Sequence, residues 1–211
     1  FLERNTSGDL LFASTVQRVG DVTAGSLTYE NASITGATAT LADLRDLGIS
    51  RGRFIRADEE LRGAQVAVIG AEIAETLFPS RDPIGSTIRV AGRRFDVIGV
   101  QLRLGSSGTA SLDRSVWIPL AAFERLYGPP PSLSVFAKAR DIAQTDAAEG
   151  EARAAMRARR QLQPGVADNF DLLTPDAARG FVERLAGRVG IAAGPISAMA
   201  LLAAIVVVTN T

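Results

Sequence analysis

The position with the clearest chemical potential is Gly70, which lies between an apolar segment, 65–69, and a short amphipathic segment, 71–78. A glycine between a strand and a helix lets a phosphate approach backbone amides, and dinucleotide sites use the spacing G-x-G-x-x-G for this purpose. Counted from Gly70, the second and third glycine positions hold Glu72 and Glu75. Their carboxylates would repel a pyrophosphate, so the pattern argues against a nucleotide site.

The composition removes most other catalytic chemistry. The 211 residues include no histidine and no cysteine, which excludes histidine-dependent triads, cysteine nucleophiles, His/Cys zinc sites and disulfides. The 23 basic and 23 acidic side chains balance, so the net charge offers no field for nucleic acid. We therefore nominate no catalytic, cofactor-binding or metal-ligating residue and expect no cofactor.

Two charged clusters are predicted to be structural. The acidic run 58–60 lacks the alternation of a calcium loop, and contiguous acids cannot all point at one cation, so we predict a surface turn there. Arg153, Arg157 and Arg160 share one face of a predicted helix and could form a docking stripe for an acidic partner. The acids interleaved with them favour a solvated helix face instead. Trp117, beside Ile118, is predicted to pack in the core.

Short strands and helices must position these residues. A strand buried on both faces is predicted at 65–69, followed by a helix at 71–78. Strands at 87–90 and 94–100 form the clearest predicted hairpin, joined across Ala91-Gly92. The other elements predicted before residue 128 are one or two half-buried strands within 26–41, a strand at 116–118 and a helix at 121–127.

Three prolines, 129–131, are the predicted boundary between two lobes. Beyond them the pattern predicts a strand at 133–139, a helix at 145–162 and a strand at 170–173. A helix that crosses between two strands favours parallel or near-parallel pairing. One such unit leaves a sheet edge unpaired, so we expect its mate to precede Phe1.

The carboxyl-terminal part of the chain contains twenty consecutive uncharged residues, 189–208. At about 1.5 Å per residue they would span roughly 30 Å, the thickness of a bilayer's hydrocarbon core. Thr174 and Pro175 are a strong helix start, so we predict one helix that continues into the membrane. The alternative is a buried core helix, because alanine and glycine dilute the apolar run.

A series of short motifs follows one order along the chain: Leu47-Gly48-Ile49, Arg51-Gly52-Arg53-Phe54, 65–70, Leu77-Phe78, 82–88, 95–100 and 116–120. In this order and spacing they resemble the periplasmic core domain of MacB-type ABC transporter permeases, the class that includes lipoprotein-releasing and FtsX-like permeases. No single motif is specific. The resemblance extends from about Ala32 to Thr211, where the apolar run coincides with the start of the family's second transmembrane helix.

The resemblance implies an α+β fold in three parts. Residues 1–131 would form a β-rich lobe with hairpins, from which the N-terminal part of the domain is missing. Residues 132–174 would form a porter-like βαβ unit. Residues 175–211 would form a stalk that continues into a transmembrane helix.

The resemblance also implies a place and a function. The domain would lie on the extracytoplasmic side of the bacterial inner membrane, in a permease homodimer or heterodimer with a separate or fused cytoplasmic ATPase and, in some relatives, a periplasmic adaptor. ATP-driven motion of membrane helices would then move a substrate or adaptor outside the membrane, in efflux or lipoprotein release. The ATPase activity would belong to a nucleotide-binding domain outside this chain, so we predict that the chain itself is not an enzyme. Two alternatives stay open: a membrane-anchored sensor or scaffold domain without transport activity, and a soluble cytosolic α/β enzyme with an internal apolar helix.

Overall fold

The computed structural model describes residues 10–107, 110–111, 113–139, 141 and 145–170. The chain divides into two compact units, Phe1–Arg159 and Arg160–Thr211. In the described part of the second unit, residues 160–170, the guanidinium of Arg160 donates through Nη1 to the carbonyl oxygen of Asn169 at 3.1 Å. The strands and helices given below belong to the first unit.

Ten strands and five helices lie within the described residues. The strands are β1 (Leu10–Ala24), β2 (Leu27–Ala37), β3 (Ile49–Gly52), β4 (Val66–Ile69), β5 (Thr87–Val90), β6 (Arg93–Gln101), β7 (Ser106–Ser107), β8 (Ala110–Ser111), β9 (Ser115–Pro119) and β10 (Ser134–Ala139). The helices are α1 (Leu41–Leu44), α2 (Ala57–Arg62), α3 (Ala71–Leu77), α4 (Leu120–Tyr127) and α5 (Thr145–Arg159).

Across the described part of the chain, eight strands form one mixed sheet in the order β10-β1-β2-β9-β4-β6-β3, and β5 pairs with both β1 and β6. The pairs β2–β9 and β4–β6 are parallel, whereas β5 is antiparallel to both of its neighbours. Hydrogen bonding therefore passes from β1 through β2, β9, β4, β6 and β5 and back to β1. The short strands β7 and β8 pair with each other.

The β4–α3 segment folds as its sequence predicts. Ala67, Val68 and Ile69 are all buried, because β4 lies between β6 and β9 and is covered on both faces. Gly70 caps α3, whose apolar spacing buries Ile73, Ala74 and Leu77. The predicted strand and helix are confirmed to within one residue at each end.

The hairpin β5–β6 is also confirmed. Ala91 and Gly92 both have positive φ, 48° and 77°, as a tight turn between twisted antiparallel strands requires. The turn fixes the register, which places Val90 opposite Arg93 and Ile88 opposite Phe95. Ile88, Val90, Phe95 and Val97 are buried, so this pair of strands has one fully covered face.

The buried apolar residues of the described chain form two clusters on opposite faces of the sheet. Alternation along β4 directs Ala67 and Ile69 to the first face and Val68 to the second. On the first face, α3 and α4 cover the sheet, and Phe123 of α4 packs closely enough that a Cβ at Gly36 would lie 2.6 Å from its own Cβ. On the second face the buried set is smaller: Ala13, Ala37, Leu41, Ile55, Val68 and Trp117.

The structure departs from the sequence predictions at three places. The strand β1 was absent from the predicted elements, because residues 17–21 include Gln, Arg, Gly and Asp and do not alternate. The acidic run 58–60 is the first turn of α2 rather than a surface turn, and negative charge is favourable at that end of a helix. The helix predicted at 145–162 ends at Arg159.

The strand predicted directly beyond the three prolines is confirmed as β10, while its parallel pairing with a second strand beyond the helix stays a prediction. β10 pairs antiparallel with the first part of β1, from Leu10↔Ala139 to Thr15↔Ser134. It therefore belongs to the same sheet as the strands before the prolines, and one of its edges is paired within this chain. The predicted strand at 170–173, apart from its first residue, and the predicted helix from Pro175 lie outside the described residues.

Candidate functional site

Gly70 is required by a close backbone contact inside the domain. A Cβ at Gly70 would lie 2.0 Å from the carbonyl oxygen of Asp113, far closer than atoms can approach. The Gly70 amide donates to the carbonyl oxygen of Ser115 at 2.7 Å. In a dinucleotide site a phosphate lies close to the backbone of such a glycine. Here the chain segment that leads into β9 lies there instead.

Glu72, in the first turn of α3, accepts a hydrogen bond from Tyr29 of β2. The Tyr29 hydroxyl donates to Oε1 of Glu72 at 2.5 Å. Burial and, next, the Glu72 carboxylate raise the pKa of Tyr29 to about 12, because both disfavour the phenolate. The guanidinium of Arg114 lies 5.8 Å from the centre of the Tyr29 ring. Tyr29 is therefore a permanent donor that ties α3 to β2.

The segment between β6 and β9 is tied to α3 by the second glutamate. Arg103 donates to the Glu75 carboxylate, which holds the pKa of Arg103 above its usual value. Asp113, which is buried, accepts the backbone amides of Leu104 at 2.7 Å and Gly105 at 3.0 Å. These bonds hold Leu104 and Gly105 against Asp113 and fix Arg103 to α3.

Glu59 of α2 forms the most enclosed ion pair among the described residues. Its two carboxylate oxygens accept from the guanidinium of Arg53 at 2.6 and 2.7 Å, and Oε2 also accepts the backbone amide of Arg56 at 2.9 Å. The hydrogen bonds from Arg53 are the main cause of the lowered pKa of Glu59. This carboxylate both caps the helix and holds the chain that leads into it.

The three acids of the run 58–60 have three different partners. Glu60 accepts the amide of Ala39 at 2.6 Å, and Asp58 pairs with Arg62 at 2.7 Å on the helix surface. Their divergence follows from helix geometry, since successive side chains point about 100° apart. The run does not converge on one point where a cation could bind.

The remaining residues singled out in the sequence have ordinary structural surroundings. Trp117 is buried, and its indole Nε1 donates to Oε1 of Gln101 at 3.2 Å, so its predicted place in the core is confirmed. Arg153 pairs with Glu149, one turn earlier on α5, at 3.0 Å. That contact agrees with a solvated helix face rather than a docking stripe.

The contacts described above hold strands, helices and loops of the domain together. Among residues 10–170 as far as they are described, His, Cys, Asp and Glu side chains form no group of three able to hold a metal ion. The same residues include no helix with the length and apolar character needed to cross a bilayer. The apolar run 189–208 lies outside the described residues.

Sequence reasoning missed two of the interactions that organise the domain. The bond between Tyr29 and Glu72 joins residues 43 positions apart, and no local pattern signals it. The role of Glu59 had a local signal, because a glutamate three residues after Arg56 occupies the position that caps a helix start. An arginine in place of the usual serine or threonine at the cap hid that signal.

The comparisons with known proteins agree with this fold. Residues 5–155 match the family described as the MacB-like periplasmic core domain. The macrolide export ATP-binding/permease protein MacB of Neisseria meningitidis is 29% identical over 187 residues, which is 86% of this chain and 28% of that protein. This chain thus spans less than a third of the length of that curated relative.

Two solved structures show the same fold. The periplasmic region of MacB from Actinobacillus actinomycetemcomitans matches with a TM-score of 0.71 at 16% identity, over 85% of this chain and 79% of that one. The extracellular domain of the noncanonic ABC-type transporter YknZ from Gram-positive bacteria matches with a TM-score of 0.63 at 17% identity, over 77% and 81%. From its sequence match over residues 5–155, the chain belongs to the MacB-like periplasmic core domain family.

Proposed function

We propose that this domain is the extracytoplasmic part of an ABC transporter permease in the bacterial inner membrane. In that role it couples ATP-driven motion of membrane helices to the movement of a substrate or adaptor outside the membrane. The observation that supports this most is the family match over residues 5–155. The curated relative from Neisseria meningitidis carries both an ATP-binding and a permease part in its name.

The packing of the first unit suits a body that transmits displacement. Coupling by mechanical means needs elements that move together, which requires contacts between them rather than flexible loops. Arg125 of α4 donates to the carbonyl oxygens of Arg62 at 2.8 Å and Gly63 at 2.9 Å, which ties α4 to the end of α2. Tyr29 and Glu72 tie β2 to α3 in the same way.

The rest of the assembly belongs to the proposal. A cytoplasmic ATPase, separate or fused, would supply the motion, and two permease copies would bring two such domains together. A periplasmic adaptor would be a further partner. Residues 175–211 would form the stalk that enters the membrane, and the division into a β-rich lobe, 1–131, and a porter-like unit, 132–174, is part of the same proposal.

The location is tested by labelling the full-length protein in spheroplasts. Because this chain contains no cysteine, Leu61→Cys introduces the only thiol within it, at a side chain that is 83% exposed. Any cysteines elsewhere in the protein are replaced first. A membrane-impermeant maleimide should label Leu61→Cys before lysis, whereas Ile73→Cys, which is fully buried, should react only after unfolding. Labelling of Leu61→Cys only after lysis contradicts the extracytoplasmic location.

The coupling is tested on the same Leu61→Cys protein in nanodiscs. A spin label at this position reports the distance between two copies by pulsed electron paramagnetic resonance. We expect the distance distribution to change when ATP binds and to return after hydrolysis. An unchanged distribution in a protein that hydrolyses ATP contradicts coupling, and absence of both ATPase and distance change favours the sensor or scaffold alternative.

A further inference from the structure

The hairpin β5–β6 has one buried face and one exposed polar face. Thr87 and Arg89 on β5, and Arg94 and Asp96 on β6, alternate with the buried apolar residues and are exposed on the second face. The small apolar cluster that covers other strands on this face includes Leu41 and Trp117 but no residue of β5. This part of the sheet is therefore open to solvent on one side.

The register brings two positive charges into direct opposition on this open face. Arg89 is paired with Arg94 on one side and with Thr23 of β1 on the other. Directly opposite side chains in antiparallel strands have Cβ atoms about 5 Å apart, and like charges at that distance destabilise a sheet. Neither arginine forms an ion pair with any residue that the structure describes.

The acid closest in register is Asp96, which forms no ion pair with either arginine. Asp96 lies on the same face, two residues beyond Arg94, and is paired with Thr87, whose hydroxyl is 3.3 Å from Oδ1 of Asp96. Asp96 thus limits the cationic area on one side, and neither guanidinium forms an ion pair with a carboxylate among the described residues.

The two arginines line an open depression. Thr23, Gly25, Thr87, Arg89 and Arg94 surround a volume of about 460 Å³, within the range of small-molecule sites. Gly25, at the turn between β1 and β2, has a φ of +62°, and a Cβ there would meet nothing within 4 Å. The turn therefore keeps one side of the depression free of side chains.

We propose that this depression binds a phosphate-type oxyanion with two negative charges, carried by a phosphate monoester. Guanidinium groups present paired donors that match the oxygens of a phosphate, and two of them neutralise its two charges. The hydroxyl of Thr23 lies at the rim as a further donor, whereas the hydroxyl of Thr87 already donates to Asp96. A carboxylate would neutralise only one of the two opposed arginines. The phosphate group has two possible sources, a soluble metabolite or a lipid headgroup such as that of phosphatidic acid.

The test is a titration of the full-length protein in phosphatidylcholine nanodiscs with glycerol 3-phosphate, followed by isothermal calorimetry at low salt. We expect saturable binding that Arg89→Gln and Arg94→Gln each weaken by about tenfold or more. The matched control is Arg93→Gln, an exposed arginine next in sequence to Arg94 that does not line the depression, which should change the affinity by less than about twofold.

A second arm separates the two sources. The nanodisc-held protein is mixed with phosphatidylcholine vesicles with or without phosphatidic acid, and co-flotation is measured. Co-flotation supports a lipid ligand if it requires phosphatidic acid and is lost when either Arg89 or Arg94 is replaced. Binding of glycerol 3-phosphate without such co-flotation supports the site and assigns it to a soluble ligand.

The proposal is overturned by absence of saturable binding in both arms, or by equal losses in all three variants with unchanged circular dichroism. Equal losses would mean that overall charge rather than this depression attracts the anion. None of these outcomes bears on the location or coupling experiments, so the two proposals fail independently.

Discussion

Charged and polar side chains in two regions of this domain have opposite surroundings. In the first, which we term the paired region, each charged or polar side chain has a hydrogen-bond partner. Its members are Tyr29 with Glu72, Arg53 with Glu59, and Asp113 with the backbone amide of Leu104. In the second, which we term the open strip, Arg89 and Arg94 face each other on β5 and β6 with no ion-pair partner among the described residues.

The contrast separates charge that serves the fold from charge that does not. Each group in the paired region offsets the cost of burial by a hydrogen bond or an opposite charge, so its presence is explained by stability. In the open strip the register places like charges together, which costs stability. Substitutions should therefore weaken the domain in the paired region and leave it unharmed, or slightly stronger, in the open strip.

The largest effect is expected at the contact that closes the paired region. In Gly70→Val the new Cβ would meet the Asp113 carbonyl oxygen, which is backbone and cannot move aside as a side chain could. We expect the free energy of unfolding to fall by at least about 3 kcal/mol, measured by urea denaturation.

The control for this substitution is Gly150→Ala. Gly150 lies within α5, and a Cβ there would meet nothing within 4 Å. Alanine favours the helix, so the domain should gain about 0.5–1 kcal/mol. A Gly70→Val protein as stable as the parent would show that the segment before β9 yields easily and that the paired region is not closely packed.

The next effect is expected at the ion pair of Arg53 and Glu59. Glu59→Gln should lower the free energy of unfolding by about 1–2 kcal/mol at neutral pH, discounted because the Arg53 side chain is 36% exposed. The pKa of Glu59 is lower in the folded state, so its stabilisation is present above the unfolded value of about 4.3 and is lost as the pH falls through the folded pKa.

Urea denaturation of Glu59→Gln at a series of pH values checks this direction. The difference from the parent should be largest near neutral pH and should shrink in acid. Asp58→Asn, which removes an exposed i,i+4 pair with Arg62, is the control and should cost less than about 0.5 kcal/mol. A difference that grows in acid would contradict the assignment.

A smaller effect is expected at Tyr29. Tyr29→Phe removes the donor to Glu72 and should cost about 1 kcal/mol. Because the pKa of Tyr29 rises to about 12, the neutral phenol stabilises the fold below the unfolded value of about 10, and this is lost as the pH rises through 12. Ultraviolet difference spectroscopy should detect the late ionisation.

Tyr127→Phe is the matched control for Tyr29→Phe. Burial raises the pKa of Tyr127 too, yet within the described chain its hydroxyl makes no side-chain hydrogen bond. It should therefore lose less stability than Tyr29→Phe. Equal losses from the two substitutions would indicate that Glu72 contributes nothing beyond burial.

The smallest effect is expected in the open strip, and it is favourable. Without ligand and at low salt, Arg94→Gln should raise the melting temperature by about 1 °C, because it removes a like-charge cross-strand pair. The gain should disappear in high salt, which screens exposed charges, and Arg93→Gln should give less. A drop in melting temperature would mean that Arg94 stabilises the fold, as the charges of the paired region do, and would contradict the contrast between the two regions.

The local elements of this domain were predictable because their signals lie within a few residues. Each of these signals involves only residues close together in the sequence. They are the β-branched run before Gly70, the turn at Ala91-Gly92 and the apolar spacing of α4. The order of these motifs was also sufficient to indicate the family that the comparisons show.

What the sequence alone determined is therefore the identity of short elements and their order. Tertiary structure decided the rest, because pairing between distant strands depends on which surfaces are left uncovered once the local elements form. It made residues 10–24 a strand, placed β10 antiparallel to β1, and let β5 join β1 to β6. Only that last pairing brings Thr23 to the same place as Arg89 and Arg94. The alternation of side chains along a strand follows from its own sequence, whereas the strands that pair with it are set by contacts between distant parts of the chain.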